Sequence, residues 1–485
     1  MKHSLLFSIP ALLLASRAFA VIPPVIYGED NRMEVYAATP KLQKLASAAA
    51  SMIHQKEITP SAVAGLSVLT QRTLKDWLAA PQEEGFTAAP VMSKIHADVD
   101  VEDDGLSFCA SERFIDQPNP GMCSGFLIGP DLLITAGHCV ELENFCKDYK
   151  WVFDFKVDEA TQTAGLDIKN ENIYSCKRVI NSALDMNLGM DFGLIQLDRD
   201  VSGREPVEIR SDNRVSDMQE LVVIGGPSGL PIKIAGGANV RKSVHPFYFS
   251  ANLDTFQGNS GSAVFNAQTG EVEGILVRGE DDFEMNRSLM CVQAKKCTTD
   301  GCRGEDVTRL TSIPEVAVRG ILKESIRTAN IDQLAEILSL GTWVDFYGKD
   351  KVSPLMMAAR RLNPQVVNLL IAAGADAALT DLNGNTPLHH LSKTLNEESE
   401  SSIKLLLDAK ANLEARNRDG KTPLLLAAQN LNLAGVKALI RSGADKNAVD
   451  DQGVNVVTRF AEAGDEAAVQ ELAAMGINVP TIAVD

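Results

Sequence analysis

The chain has 485 residues, 45% of them apolar, enough material for more than one domain at roughly 150 residues each. Its net charge of −18 at pH 7 and pI near 4.9 argue against a nucleic-acid partner, whose binding needs a basic surface. The acidity is not gathered into a tail, so it reads as solubility. At the N-terminus, "MKHSLLFSIPALLLASRAFA" places Lys2 and His3 before an apolar stretch from Leu5 to Leu14 and ends in Ala18-Phe19-Ala20. A basic start, a short apolar middle and an A-x-A end predict a secretory signal peptide over residues 1–20. The alternative is a short membrane anchor, but the run is too brief to span a bilayer. The expectation is a secreted or periplasmic chain starting near Val21, with no stable membrane insertion.

Residues 21–106 are expected to be a helical N-terminal segment. "KLQKLASAAASMI" sets Leu42, Leu45, Ala46, Ala49, Met52 and Ile53 on one helical face. "PSAVAGLSVLTQRTLKDWL" reads as a second helix with Pro60 near its start. The acidic "DVDVEDDG" then reads as an exposed link. The segment is a pro-segment or a brace on the next domain, and the sequence leaves both open. From Ser107 to Pro314 short apolar runs ("GFLIG", "LLITAG", "FGLIQL", "ELVVIGG", "GEVEGILVRG") alternate with Gly, Pro, Asp and Asn. That texture predicts many short strands in an all-β barrel or sandwich. All eight cysteines (109, 123, 139, 146, 176, 291, 297 and 302) follow the leader, which in an exported chain predicts disulfides. Zinc is the alternative, but Cys291, Cys297 and Cys302 lack the close paired spacing of a zinc site. Cys146 and Cys176 flank "WVFDF" and are candidates to pair, as is Cys291 with Cys302 or Cys297 across a short loop.

The last part of the chain repeats. Ser/Thr-Pro-Leu cores begin at Ser353, Thr386 and Thr422, spaced 33 and 36 apart, and a weaker copy follows at Asn455. Polar turns ("DLNGN", "NRDGK", "DDQGV") precede three of them. The pattern resembles the ankyrin repeat over 321–485, which implies an all-α solenoid of stacked helix pairs and a protein partner. "ANIDQLAEILSLGTWVDFYGKD" reads as a degenerate first repeat, the last copy as a cap, and "LNEESESS" as a bulge from one loop. His389 and His390 match the "TPLHH" position, whose histidine in such repeats hydrogen-bonds to neighbouring turn backbone rather than to a metal.

Three motifs carry chemistry. His138 stands in "TAGHC" at the end of an apolar strand, Asp191 in "MDFGLIQLD" at the head of another, and Ser260 in "GNSGS". Singly each is weak. Together, in this order, they resemble the trypsin/chymotrypsin superfamily over about 200 residues. The resemblance implies two packed six-stranded β-barrels over 107–314, a cleft between them, and serine endopeptidase activity on a protein or peptide substrate without metal or cofactor. It makes His138 the general base, Asp191 its orienting carboxylate, Ser260 the nucleophile, and the N–H groups of Gly258 and Ser260 the oxyanion hole. Asp185 in "LDMN" is the fallback carboxylate. It also implies a Cys123–Cys139 disulfide around the histidine loop. Asp254, six residues before Ser260, falls where trypsin-like enzymes keep the acidic floor of a Lys/Arg pocket, and a structural role in "LDTF" is the alternative. "GNSGS" resembles bacterial relatives such as the glutamyl endopeptidases more than the commonest form, yet Val277 stands where those carry a pocket histidine. Arg278 is a solvated rim charge or a substrate-reading group. Asn259 replaces the Asp of the commonest family form, and no Arg/Lys-Ile-Val-Gly-Gly site precedes "CSGF", so the resemblance does not carry over the family's activation switch. The competing readings are an inactive barrel scaffold whose function is ankyrin-mediated binding, and an esterase using the same three residues.

Overall fold

The computed structural model of the chain describes residues 26–79, 107–210, 214–279, 282–339, 344–346, 349–396 and 399–477. The expected signal peptide, the start near Val21 and the acidic link lie outside them. Two six-stranded barrels form the centre of the molecule. The first closes in the order β7-β8-β5-β4-β3-β6, from β3 (Ala49–His54), β4 (Gly121–Leu127), β5 (Leu132–Thr135), β6 (Tyr149–Phe153), β7 (Ile173–Asp185) and β8 (Met190–Leu197). The second runs β9-β12-β13-β15-β11-β10 and closes by pairing of β9 with β10. Its strands are β9 (Glu220–Gly225), β10 (Lys233–Lys242), β11 (Tyr248–Ala251), β12 (Ala263–Asn266), β13 (Val272–Arg278) and β15 (Glu305–Arg309). Apolar runs such as "LLIT" are buried at every position, as strands covered on both faces require. One continuous core, including Phe126, Trp151, Phe192, Ile224 and Phe265, reaches from one barrel into the other.

The N-terminal segment corrects the helical expectation. Helix α1 covers only Pro40–Ala46, with Thr39 capping Leu42 N–H. Ala49, Met52 and Ile53 lie instead in β3, between β4 and β6, with Ala50 opposite both Gly125 and Phe153. The expected second helix gives way to the strands Ile58–Pro60 and Leu66–Leu69, with a helix (α2, Leu74–Ala79) only at its end. A short apolar run buried on all sides carries no periodicity that separates strand from helix, and here pairing on both edges decides. The segment also reaches the second barrel. Strand β1 (Ile26–Tyr27) lies parallel to β14 (Lys296–Cys297), and β2 (Arg32–Glu34) lies antiparallel to β10.

Four disulfides staple the described residues: Cys109–Cys291, Cys123–Cys139, Cys146–Cys176 and Cys297–Cys302. The expected partner of Cys291 is thereby corrected. Parallel bridging of Phe108 with Val292 brings Cys109 to it across 182 residues, leaving the short loop to Cys297 and Cys302.

The C-terminal part is a stack of helix pairs: α5 (Pro314–Thr328) with α6 (Ile331–Ser339), α7 (Pro354–Ala359) with α8 (Pro364–Ala372), α9 (Pro387–Ser392) with α10 (Glu400–Asp408), α11 (Pro423–Gln429) with α12 (Leu433–Arg441), and α13 (Val456–Glu462) with α14 (Glu466–Ala474). The recurring Ser/Thr-Pro is a helix start. Ser353, Thr386 and Thr422 accept from backbone N–H groups of α7, α9 and α11, and Pro follows at the first helical position. Asn455 caps α13 in the same way.

Helix α5 belongs to both units. Val316 is part of the barrel core, while Leu322 and Ile326 are part of the repeat core. Between them Arg319, 3% exposed, lies with its guanidinium 5.0 Å from the Phe346 ring centroid, and burial pushes its pKa down to about 9. Glu315 accepts from Asn181 of β7 at 2.8 Å, Glu208 accepts from Asp350 N–H at 2.9 Å, and Lys351 pairs with Glu205 at 3.1 Å.

A chain begun at Ser107 lacks β3 and is expected to lose cooperative urea unfolding, whereas a cooperative transition would show that the barrel closes without it. Leu322→Ala should cost about 2–5 kcal/mol and lower barrel and repeat unfolding together, read by near-UV and far-UV signals. Separate shifts would contradict a shared core.

Candidate active site

Strand β5 ends at Thr135 and the short helix α3 (Gly137–Val140) begins at once, carrying His138, with the short helix α4 (Phe145–Asp148) next along the chain. Strand β8 lies beside β5 with Gly193 opposite Thr135, which brings Asp191 under the start of α3. Asp191 Oδ1 accepts from Gly137 N–H at 2.6 Å and His138 N–H at 3.1 Å, and its Oδ2 lies 2.9 Å from His138 Nδ1. Asp191 is 1% exposed, and a carboxylate so far from water needs this many partners. The His138 side chain remains 20% exposed. With Nδ1–H directed to the carboxylate, Nε2 is left as the acceptor nitrogen. The fallback Asp185 serves its own turn, accepting from Asn187 and Leu188 N–H.

Ser260 comes to this pair from the second barrel. Its carbonyl accepts from Ser124 N–H at 2.8 Å and lies 3.9 Å from the sulfur of Cys139, the neighbour of His138. Ser124 Oγ donates to Gly258 O at 2.9 Å and accepts from Gly226 N–H at 2.9 Å. A single buried hydroxyl on β4 thus ties the serine loop to the loop after β9. The glycines around Ser260 answer to space as well as backbone. Gly258 has φ +93°, and a Cβ there would stand 2.6 Å from Gly229 N; Gly261 has φ +90°, and its Cβ would stand 2.0 Å from Ser124 O. Among the described residues the N–H groups of Gly258 and Ser260 donate to no protein acceptor. Asn259, 3% exposed, accepts from Ser262 Oγ.

The residues expected to shape specificity are placed otherwise. Asp254 does not face an open pocket: its two oxygens accept from Tyr27 N–H at 2.7 Å and Asn31 N–H at 3.0 Å, so it clasps the N-terminal segment. Val277, 2% exposed, points into the barrel core. Arg278 is half-buried at the end of β13. Its Nε lies 3.4 Å from Asp306 Oδ2, and its two terminal nitrogens each lie 3.4 Å from an atom of the β7–β8 turn, Met186 Sδ and Gly189 O. Sequence reasoning passed over Ser124 and Glu305. Ser124 sits fully buried inside "CSGF", and a hydroxyl at such a position implies a specific partner. Glu305, also fully buried, accepts from Thr255 Oγ1 and Tyr27 OH, and nothing local in the sequence marks it.

The Cys123 and Cys139 sulfurs and a His138 ring nitrogen lie within 4.8 Å of one another, but both sulfurs are spent on one disulfide. His389 contacts Thr386 Oγ1 and Lys421 O at 2.9 Å each, the turn-backbone role expected of it. His390 meets Asp381 at 2.9 Å.

Comparison with known proteins agrees with this geometry. The family model described as a trypsin-like peptidase domain matches residues 123–275, and one described as ankyrin repeats, three copies, matches 355–450. The chain therefore joins a trypsin-like peptidase domain to ankyrin repeats. Curated relatives include the ankyrin repeat and KH domain-containing protein mask-1 of Caenorhabditis elegans, 36% identical over 26% of this chain and 5% of its own length. Human B-cell lymphoma 3 protein is 33% identical over 29% of this chain and 30% of its own length. Phosphocholine transferase AnkX of Legionella pneumophila is 32% identical over 28% and 15%. The chain spans less than a third of each of these relatives.

Burial raises the Asp254 pKa from 3.8 to about 6, against the pull of its two N–H donors. A carboxyl whose folded pKa lies above its unfolded one favours folding most when neutral, so stability should fall as pH rises from about 4 to about 6. Asp254→Asn should flatten that part of the urea-stability profile. An unchanged slope would place the titrating group elsewhere.

Proposed function

We propose that the chain is an exported serine endopeptidase whose ankyrin repeats hold a protein partner or substrate. The observation that carries this reading is the buried Asp191, which engages His138 Nδ1 while the Ser260 loop is clamped beside it. In the proposed reaction His138 Nε2 takes the Ser260 Oγ proton as the oxygen attacks a peptide carbonyl. The resulting oxyanion accepts from Gly258 and Ser260 N–H, donors worth roughly 2.7–4 kcal/mol each where comparable ones have been removed. His138 then protonates the leaving amine, and water activated by the same nitrogen releases the acyl group from Ser260. Asp191 keeps the imidazole in the competent tautomer and stabilises its cation.

Export is supported by the leader pattern of residues 1–20 and by four disulfides, which need an oxidising compartment. Among the described residues no helix is long and apolar enough to cross a membrane. With Asp254 committed to Tyr27 and Asn31, the reading names no residue preference at the cleavage site.

The test is turnover of a fluorogenic peptide library by the full chain. Asp191→Asn is expected to lower kcat by about 10⁴-fold, as a wrong imidazole tautomer does elsewhere, and Ser260→Ala to leave no triad-dependent turnover. Turnover of esters but no peptide would favour the esterase reading. A folded chain that turns over neither would be a binding scaffold.

A further inference from the structure

Glu305 is a fully buried acid with no part in the proposed reaction. It opens β15, which pairs with β13 so that Val307 lies opposite Leu276 and Asp306 opposite Arg278. Its carboxylate therefore comes level with Gly279, the residue after β13, where a Cβ would overlap both carboxylate oxygens. Oε2 accepts from Thr255 Oγ1 at 3.2 Å, and Oε1 accepts from Tyr27 OH at 3.4 Å. One carboxylate thus bridges Thr255 to Gly279. Anchoring Tyr27 does not account for that position, because the Tyr27 hydroxyl is already fixed by Gly304 N–H at 2.9 Å.

The bridged residues lie on the two chain segments that lead away from Ser260. Leu276 is bonded to the serine loop, accepting from Gly261 N–H at 2.8 Å and donating to Ser262 O at 3.0 Å. From there β13 runs on through Val277 and Arg278 to Gly279, while Thr255 precedes Ser260 in the other segment. The segments 255–258 and 277–279 so form a slot with Ser260 at its mouth and Glu305 across its far end. Exposure falls along it. Ser260, Gln257 and Arg278 are half-buried, whereas Thr255, Gly279 and Glu305 are buried. Asp254 contributes nothing to this end, since both its oxygens are turned to Tyr27 and Asn31.

We infer that this slot takes the side chain of the residue whose carbonyl Ser260 attacks, and that Glu305 closes it to all but short ones, so that the chain cleaves after glycine, alanine and serine. This rests on the endopeptidase reading and names its substrate class. Glu305 determines specificity here by the space it fills. A longer apolar side chain would meet protein atoms that are already packed. A side chain reaching the carboxylate would have to part it from Thr255 and Tyr27 where water does not enter, which is costly for a charged group. Lysine or arginine would need a carboxylate open to its charge, and Glu305 has no exposed surface.

The test measures kcat/KM of the full chain on fluorogenic peptides that differ only in the residue before the cleaved bond: Gly, Ala, Ser, Leu, Met, Phe, Lys, Arg and Glu. The parent is expected to prefer Gly, Ala and Ser over the six larger residues by at least about tenfold. Glu305→Ala should raise Leu and Met relative to Ala by at least about tenfold, because the floor is lowered. Glu305→Gln, equal in size, should keep the parent's order of residues, whatever its rate. A parent that prefers Lys or Arg, and loses that preference in Glu305→Gln, would make Glu305 a reader of charge and overturn the inference. Preference of the parent for Leu, Met, Phe or Glu would show an open slot and overturn it too. The parent's own order decides the matter even where Glu305→Ala does not fold. Turnover of no peptide would instead overturn the endopeptidase reading, and this inference with it.

Discussion

A carboxylate removed from water must be fully hydrogen-bonded, and Asp191 meets that demand with atoms of one short stretch: two main-chain N–H groups and Nδ1 of residues 137–138. The constraint fixes the strand that carries the acid, the turn that carries the histidine, and the face of the ring that is left over. It is met inside the first barrel by two neighbouring strands. The second barrel then has one thing to add, a serine on a loop held from outside by Ser124.

That clamp explains why the site sits at the seam. Ser124 is the last polar group of a buried strand, and its hydroxyl joins two loops of the other barrel. The N-terminal segment is tied to the same barrel. Its main chain fills the two oxygens of Asp254, and the Tyr27 hydroxyl meets the buried Glu305 and Gly304 N–H. Asp254, which the family resemblance would hand to the substrate, thus holds the N-terminal segment.

The repeats were legible because each repeat is local: cap, proline, two helices and a turn recur within about 33 residues. The barrel architecture was legible in its short apolar runs, and His138, Asp191 and Ser260 stand out as candidates because each lies inside an extended motif. What escaped depends on contacts far apart in sequence. Ala49–Ile53 reads as well as a helix face as it does as a strand, and only pairing with Cys123–Phe126 and Lys150–Phe153 separates the two. Cys109 finds Cys291 through a bridge between distant segments, and Asp254 finds its donors 223 and 227 residues away. Val277 follows the alternation of its strand into the core, whatever a motif alignment assigns to it.

The two units are not beads on a linker. One helix supplies Val316 to the barrels and Leu322 to the repeats, with a buried arginine between them. The central claim is that Ser260 is an activated nucleophile in the folded chain. It is tested most directly by incubating the purified full chain with a fluorophosphonate and locating the adduct by peptide mass spectrometry. The account predicts one adduct, on Ser260, formed far more slowly in His138→Ala. A folded chain that shows no adduct there, or labels equally fast without His138, would contradict it.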